Sequence, residues 1–157
     1  MSSSDFAATS RPVSVSIATS ATPALVAAFA HLVPQLSKSS PPPNAAEVAE
    51  MIAAGATDVL IATDGDEILG ALTLVIFRIP TGVRAWIEDV VVDSAARGRG
   101  VGEALNLLAI DIARARGAVT VDLTSRPARE VANRLYQRLG FVKRDTNVYR
   151  FVLSHDD

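Results

Sequence analysis

The sequence predicts an α/β protein of the α+β kind, with a mixed, mostly antiparallel central sheet of about seven strands flanked by about four helices. Three observations carry that expectation. Strand-like segments follow one another over residues 59–92, as in an antiparallel meander. A glycine-rich stretch then opens a long amphipathic helix. A strand, another helix and two short strand-like segments close the chain.

Residues 1–12 are rich in Ser, Ala and Thr with no apolar period and read as a disordered tail whose removal leaves function intact. Residues 13–153 read as a single domain and 154–157 as a second tail. Val13, Val15 and Ile17 alternate with Ser14 and Ser16, the pattern of a half-buried first strand. Thr22-Pro23 starts a helix with Leu25, Phe29 and Leu32 on one face; His31 falls off that face and reads as a surface histidine. Pro34 ends or kinks this helix, and residues 37–43, with three consecutive prolines, have loop chemistry. Asn44 caps a second helix over 45–54, carrying Val48, Met51 and Ile52 on one face, with Gly55 as its stop.

The apolar run Val59, Leu60, Ile61 and Ala62, the turn Asp64-Gly65-Asp66-Glu67 and the long segment 68–79 form a hairpin, and Thr81-Gly82 turns the chain into a third strand over 83–92. Over 101–116 the pattern is helical: Val101, Ala104, Leu105, Leu108 and Ile112 share a face, with Glu103, Asn106, Asp111 and Arg114 facing away. Gly117 ends that helix, and Val119, Val121 and Leu123 alternate as a strand, giving a βαβ unit. Pro127 begins a fourth helix through Val131, Leu135 and Leu139 to Gly140. Phe141-Val142-Lys143 and residues 149–153, around Asp145-Thr146-Asn147, read as a final hairpin.

At 157 residues the chain suits one domain, and a chain of this size buries roughly 68–70% of its unfolded surface. Its composition, 49% hydrophobic and 20% charged, is too apolar for a disordered protein, and its longest apolar stretch is too short to span a bilayer; it reads as cytoplasmic. With no cysteine, thiolate metal sites and an acyl-cysteine intermediate are excluded, and two histidines with no acid spacing for coordination imply no metal. Net charge is only −2, but Lys and Arg concentrate after residue 96 and acids before it. A basic back half suits a ligand with several phosphates, or is simply a solvated helix surface. No aromatics interleave with the arginines, which argues against nucleic acid.

The sequence IEDVVVDSAARGRGVG, residues 87–102, is a buried strand running through a glycine-rich loop into a helix, an arrangement that binds phosphate through unpaired backbone N–H groups and the helix dipole. Arg97 and Arg99, on either side of Gly98, add charge-assisted donors. A Walker A loop needs Gly-Lys-Ser/Thr, whereas Gly102 precedes Glu103 and Ala104. A dinucleotide fingerprint needs G-x-G-x-x-G; Gly98, Gly100 and Gly102 are spaced G-x-G-x-G, though Asp122 stands about 20 residues on, where a ribose-binding acid would be. That nicotinamide reading stays open on the motif alone, but three successive strands ahead of the long helix oppose a doubly wound sheet.

Arg97-x-x-Gly100-x-Gly102 after Val90, Val91 and Val92 resembles the acetyl-CoA signature of the GNAT (GCN5-related) N-acetyltransferases. A second segment, Leu135-Tyr136-Gln137-Arg138-Leu139-Gly140-Phe141, is similar to the (F/L)-Y-x-(K/R)-x-G-F segment of the same family, and the resemblance runs from about residue 13 to residue 153. The run Glu88-Asp89-Val90-Val91-Val92 further resembles the glucosamine-6-phosphate N-acetyltransferase branch. The resemblance implies a GNAT-like sheet, acetyl-CoA as cofactor and direct acetyl transfer to the amine of a small molecule, an amino sugar in that branch. The other outcome it leaves open is a non-catalytic acetyl-CoA sensor. It also implies a homodimer, for which strand edges over 141–153 are the candidate interface. Neither a membrane nor nucleic acid is an expected partner.

Attack of an amine on a thioester requires both reactants positioned, an oxyanion stabilised and a thiolate protonated. The loop from Gly98 through Val101 to Gly102, with Arg97 and Arg99, is expected to hold the pyrophosphate. By the resemblance, the main chain of Val90, Val91 and Val92 bonds the pantetheine arm, and Tyr136 protonates the departing thiolate, which a phenol with an ordinary pKa of about 10 can do at neutral pH. Glu88 and Asp89 are consecutive acids in an apolar strand, so their side chains leave on opposite faces unless a bulge intervenes. Glu88 is the candidate base or orienting group and Asp89 a candidate substrate contact; an ion pair with Arg84 is the structural alternative. The family's Asn seven residues before the tyrosine is Arg129 here, with Asn133 as the substitute one turn along. Arg138 is either a contact to the cofactor's outer phosphate or a solvent-facing helix residue.

Overall fold

A computed structural model describes residues 12–153, so almost all of the expected N-terminal tail and all of residues 154–157 lie outside the described residues. Backbone contacts divide the chain into two compact units, Met1–Thr124 and Ser125–Asp157.

The first unit contains β1 (Ser14–Ile17), α1 (Pro23–Leu36), α2 (Ala45–Ala53), β2 (Thr57–Asp64), β3 (Glu67–Ile79), β4 (Gly82–Val92), α3 (Val101–Ala115) and β5 (Thr120–Asp122). The strands form one sheet in the order β1-β2-β3-β4-β5. The first three pairings are antiparallel and β4–β5 is parallel, with α3 as the crossover of the expected βαβ unit. The meander and mixed sheet are therefore as expected, but five strands form among the described residues, not seven.

Local chemistry explains the helix ends. The Thr22 hydroxyl accepts from the Leu25 N–H at 3.1 Å. Asn44 and Glu47 form a reciprocal capping box, each side chain accepting from the other's backbone N–H. Pro34 does not end α1, which continues to Leu36.

Leu25, Phe29 and Leu32 of α1 and Val48 of α2 bury against Val59, Ala71 and Val91 of the sheet. Fully burying each of the larger side chains contributes about 1.5–3 kcal/mol. Leu60, Leu72 and Leu74 alternate with those sheet residues and face the other side, where α3 packs through Val101, Leu105, Ala109 and Ala113. Asn106, expected to face away, is instead fully buried, its Nδ2 donating to the Gly102 carbonyl at 2.8 Å. The sheet covers a wider arc of α3 than the apolar positions alone define, and the bond one turn back lets an amide sit inside it.

The second unit carries α4 (Glu130–Arg138). Pro127 does not begin this helix. It lies in a turn closed by the Arg129 N–H donating to the Arg126 carbonyl at 3.0 Å, a position that proline's fixed φ also suits. Gly140, at φ +102°, ends the helix as expected. The final hairpin does not form: residues 141–153 contain no strand. Val142, Val148, Tyr149, Phe151, Val152 and Leu153 are all more than two-thirds exposed. Asp145-Thr146-Asn147 lacks the glycine that favours a tight hairpin turn, and an alternating segment without a ladder partner has nothing to hold it extended.

Candidate active site

The site is built around the distal half of β4. Parallel pairing with β5 covers only Arg84 with Thr120, Ala85 with Val121 and Trp86 with Asp122. Beyond Trp86, β4 keeps β3 on one side and has no strand on the other among the described residues. On the β3 side, Ala71 pairs with Val91 and Thr73 with Glu88, so β4 carries one extra residue in a bulge. Asp89 sits in it at φ +49°, the one described non-glycine residue in the left-handed region. The bulge answers the question raised by the paired acids: Glu88 and Asp89 are both exposed.

Past the bulge, where Gly70 pairs with Val92, a Cβ on Gly70 would meet the Val91 carbonyl oxygen at 2.7 Å, so only glycine admits this approach of the two strands. Glu88 Oε1 accepts from the Trp86 indole N–H at 2.7 Å, which holds the carboxylate along the face it shares with Trp86. Arg84 donates to the Thr120 and Thr81 hydroxyls at 3.1 Å each, so its ion pair with Glu88 is not what the structure shows.

After β4, Asp93 caps a short 3₁₀ turn, Ser94–Ala96, and the loop passes Gly98 at φ +79° to Gly100 at φ +74°, the N-cap of α3. Gly100 gives α3 no side-chain cap, and a Cβ at Gly98 or Gly100 would meet nothing within 4 Å. A helix start without a side-chain cap is one that can offer backbone N–H groups to an anion, and the loop has open space around Gly98 and Gly100. Arg97 is exposed, whereas Arg99 is held by Asp64 of the β2–β3 turn, Nη2 to Oδ2 at 3.0 Å, with both side chains largely buried.

Glu88, Asp89, Val90, Val91, Val92 and the loop from Arg97 to Gly102 thus belong to the first unit; Asn133, Tyr136 and Arg138 belong to the second. Tyr136 is only 7% exposed and its ring meets Phe141 edge-on, centroids 5.8 Å apart. Burial pushes its phenol pKa up, and the nearby Arg129 charge partly offsets this. Asn133 donates through Nδ2 to the Arg126 carbonyl at 2.9 Å, a bond that joins α4 to the turn before it. No three His, Asp or Glu side chains cluster for a metal among the described residues, and none of their helices is long and apolar enough to cross a membrane.

The sequence reading missed a polar cluster at the loop entry, where His31 and Gln35 of α1 meet Asp93 across about 60 positions of chain. The one signal available was Asp93 itself, an acid between the strand and the loop.

The family model of the Acetyltransferase (GNAT) family matches residues 25–141. N-alpha-acetyltransferase 30 of Schizosaccharomyces pombe is 30% identical over 99 residues, 62% of this chain and 65% of that protein. Glucosamine 6-phosphate N-acetyltransferase 1 of Oryza sativa subsp. japonica is 40% identical over 62 residues, 40% of this chain and 36% of that one. The chain thus spans less than two thirds of the length of either relative. A transcriptional regulator from Bacillus halodurans C-125 superposes with a TM-score of 0.77 at 27% identity, covering 90% of this chain and 99% of that one.

Proposed function

The chain belongs to the GNAT acetyltransferase family, and on that premise we propose that it is an acetyl-CoA-dependent N-acetyltransferase moving an acetyl group directly to the amine of a small molecule. The observation that carries the reading is the edge of β4 beyond Trp86, which no strand covers among the described residues, followed through a short turn and glycine loop by a helix start with no side-chain cap. An extended arm can add to a strand edge through main-chain bonds, and a pyrophosphate suits the helix start. The open space around Gly98 and Gly100 fits such a ligand.

Acetyl-CoA supplies the thioester as acyl donor. In the proposed arrangement the main chain of Val90, Val91 and Val92 bonds the pantetheine arm. The N–H groups of residues 98–102, with Arg97 and Arg99, hold the pyrophosphate. Glu88, steadied by Trp86, accepts the amine's proton or orients the amine, and Asp89 contacts the acceptor. Tyr136 is the proposed acid, assigned by its place in the second motif; a phenol of ordinary pKa about 10 is already protonated at neutral pH, and burial pushes this one further up. Asn133 and Arg138 are proposed cofactor contacts on the same ground. The Glu88-Asp89-Val90-Val91-Val92 run makes amino sugars the first acceptors to assay.

Calorimetric titration with acetyl-CoA, beside NADH and desulfo-CoA, tests the reading. Micromolar uptake of acetyl-CoA, followed by acetylated product in an amine screen, is the expected result. A folded protein that takes up NADH and no acetyl-CoA overturns it. Binding without turnover of any amine leaves a sensor in its place.

A further inference from the structure

We infer that His31 and Gln35 of α1 are positioning residues for the cofactor loop, setting the backbone at its entry through Asp93 and Ser94. The inference rests on the reading of that loop as the pyrophosphate site. Asp93 is 7% exposed, and a buried carboxylate must be surrounded by donors. Its Oδ1 accepts from the Ala95 N–H at 3.2 Å and lies 3.5 Å from Gln35 Nε2; its Oδ2 is 3.0 Å from His31 Nε2. Gln35 Oε1 accepts from the Ser94 N–H at 2.9 Å.

Chemistry fixes the orientation of each group. The Ser94 amide can only donate, so the oxygen of Gln35 faces it and its NH₂ faces the carboxylate. The carboxylate can only accept, so His31 carries a proton on Nε2. The 3.3 Å approach of Gln35 Nε2 to His31 Nε2 therefore brings two donors together and is not a hydrogen bond; the Gln35 NH₂ has the His31 carbonyl, also at 3.3 Å, as its other acceptor.

The cluster lies where it can matter to a ligand. Asp93 is pinned to the sheet by its own N–H, which donates to the Leu69 carbonyl at 2.8 Å. The next residues, Ser94 and Ala95, are oriented by side chains and lead within three positions to Gly98. A loop with two left-handed glycines has little preference of its own, so an external brace at its entry reduces the ordering that binding must impose. A donor missing from α1 removes that brace without touching the ligand.

The test compares wild type with Gln35→Met, His31→Leu and the conservative His31→Gln, which retains a side-chain N–H donor. Two readouts are taken: amide hydrogen exchange over residues 94–100 without ligand, and the Kd for acetyl-CoA. The expected result is faster exchange in Gln35→Met and His31→Leu, with Kd raised roughly five- to tenfold, kcat at saturation little changed, and near wild-type behaviour in His31→Gln. The His31 side chain is 63% exposed, so its variants fold even where Gln35→Met does not. A purely structural role would lower the denaturation midpoint and leave the Kd of the folded protein unmoved. If wild type binds acetyl-CoA and the variants bind equally well with unchanged exchange, this inference alone is overturned. If wild type takes up no acetyl-CoA, the cofactor reading falls first and the inference with it.

Discussion

In β4 the segment up to Trp86 is hydrogen-bonded on both sides, antiparallel to β3 and parallel to β5, whereas the segment from Ile87 onward has β3 alone among the described residues. The border is spanned by the Trp86–Glu88 hydrogen bond and is followed within three residues by the bulge at Asp89. The paired half spends its main-chain donors and acceptors on the sheet and is structural. The open half leaves one edge that a ligand could pair with, as proposed, while its inward side chain, Val91, still packs in the core. One strand can therefore be anchored by its side chains and available through its backbone, which explains why the identities of Val90 and Val92 say so little about their proposed role.

The harshest way to break this comparison is at the loop that follows the open half. Gly100→Glu places a side chain and a charge at the N-cap of α3, where φ is +74°. It is expected to raise the Kd for acetyl-CoA by more than about a hundredfold, read by calorimetry on protein shown to be folded by circular dichroism. Tyr136→Phe removes the proposed acid and is expected to lower kcat about a hundredfold with KM for acetyl-CoA unchanged; steady-state kinetics separate the two parameters. Gly70→Ala drives a methyl into the Val91 carbonyl and is expected to cost about 1–3 kcal/mol in urea denaturation. Trp86→Phe leaves the paired register intact but releases Glu88, and an approximately fivefold fall in kcat/KM is expected.

The smallest effect is on the alkaline limb of stability. Because burial raises the Tyr136 pKa, folding opposes its ionisation. Below about pH 10 both folded and unfolded phenols are protonated and nothing changes; as pH rises through that value towards the folded one, stability is lost. Wild type should therefore lose stability slightly faster than Tyr136→Phe above about pH 10 in thermal melts.

Periodicity and caps made most of the first unit legible: the leucine and phenylalanine face of α1, the Asn44 cap, the Asp64-Gly65 turn and the glycine-led start of α3 all appear where the local chemistry puts them. What stayed hidden depends on pairing at a distance. The bulge at Asp89 is a property of the register with β3, and alternation within β4 does not reveal it. Asn106 looks polar and outward in a helical pattern, and only the width of the sheet buries it. The apolar alternation of residues 149–153 resembles a strand, yet no partner strand pairs with it among the described residues. Asp93 gave no sign of its partners on α1, because contacts across about 60 residues leave no local period.

The most direct measurement is amide hydrogen exchange along β4 with and without acetyl-CoA, resolved residue by residue. The expected result is new protection at Val90, Val91 or Val92 and at residues 98–103, with the amides of Arg84, Ala85 and Trp86 unchanged because the sheet already holds them. Uniform change along β4, or none in the open half when the ligand is bound, would contradict the division of this strand into a structural and a ligand-binding half.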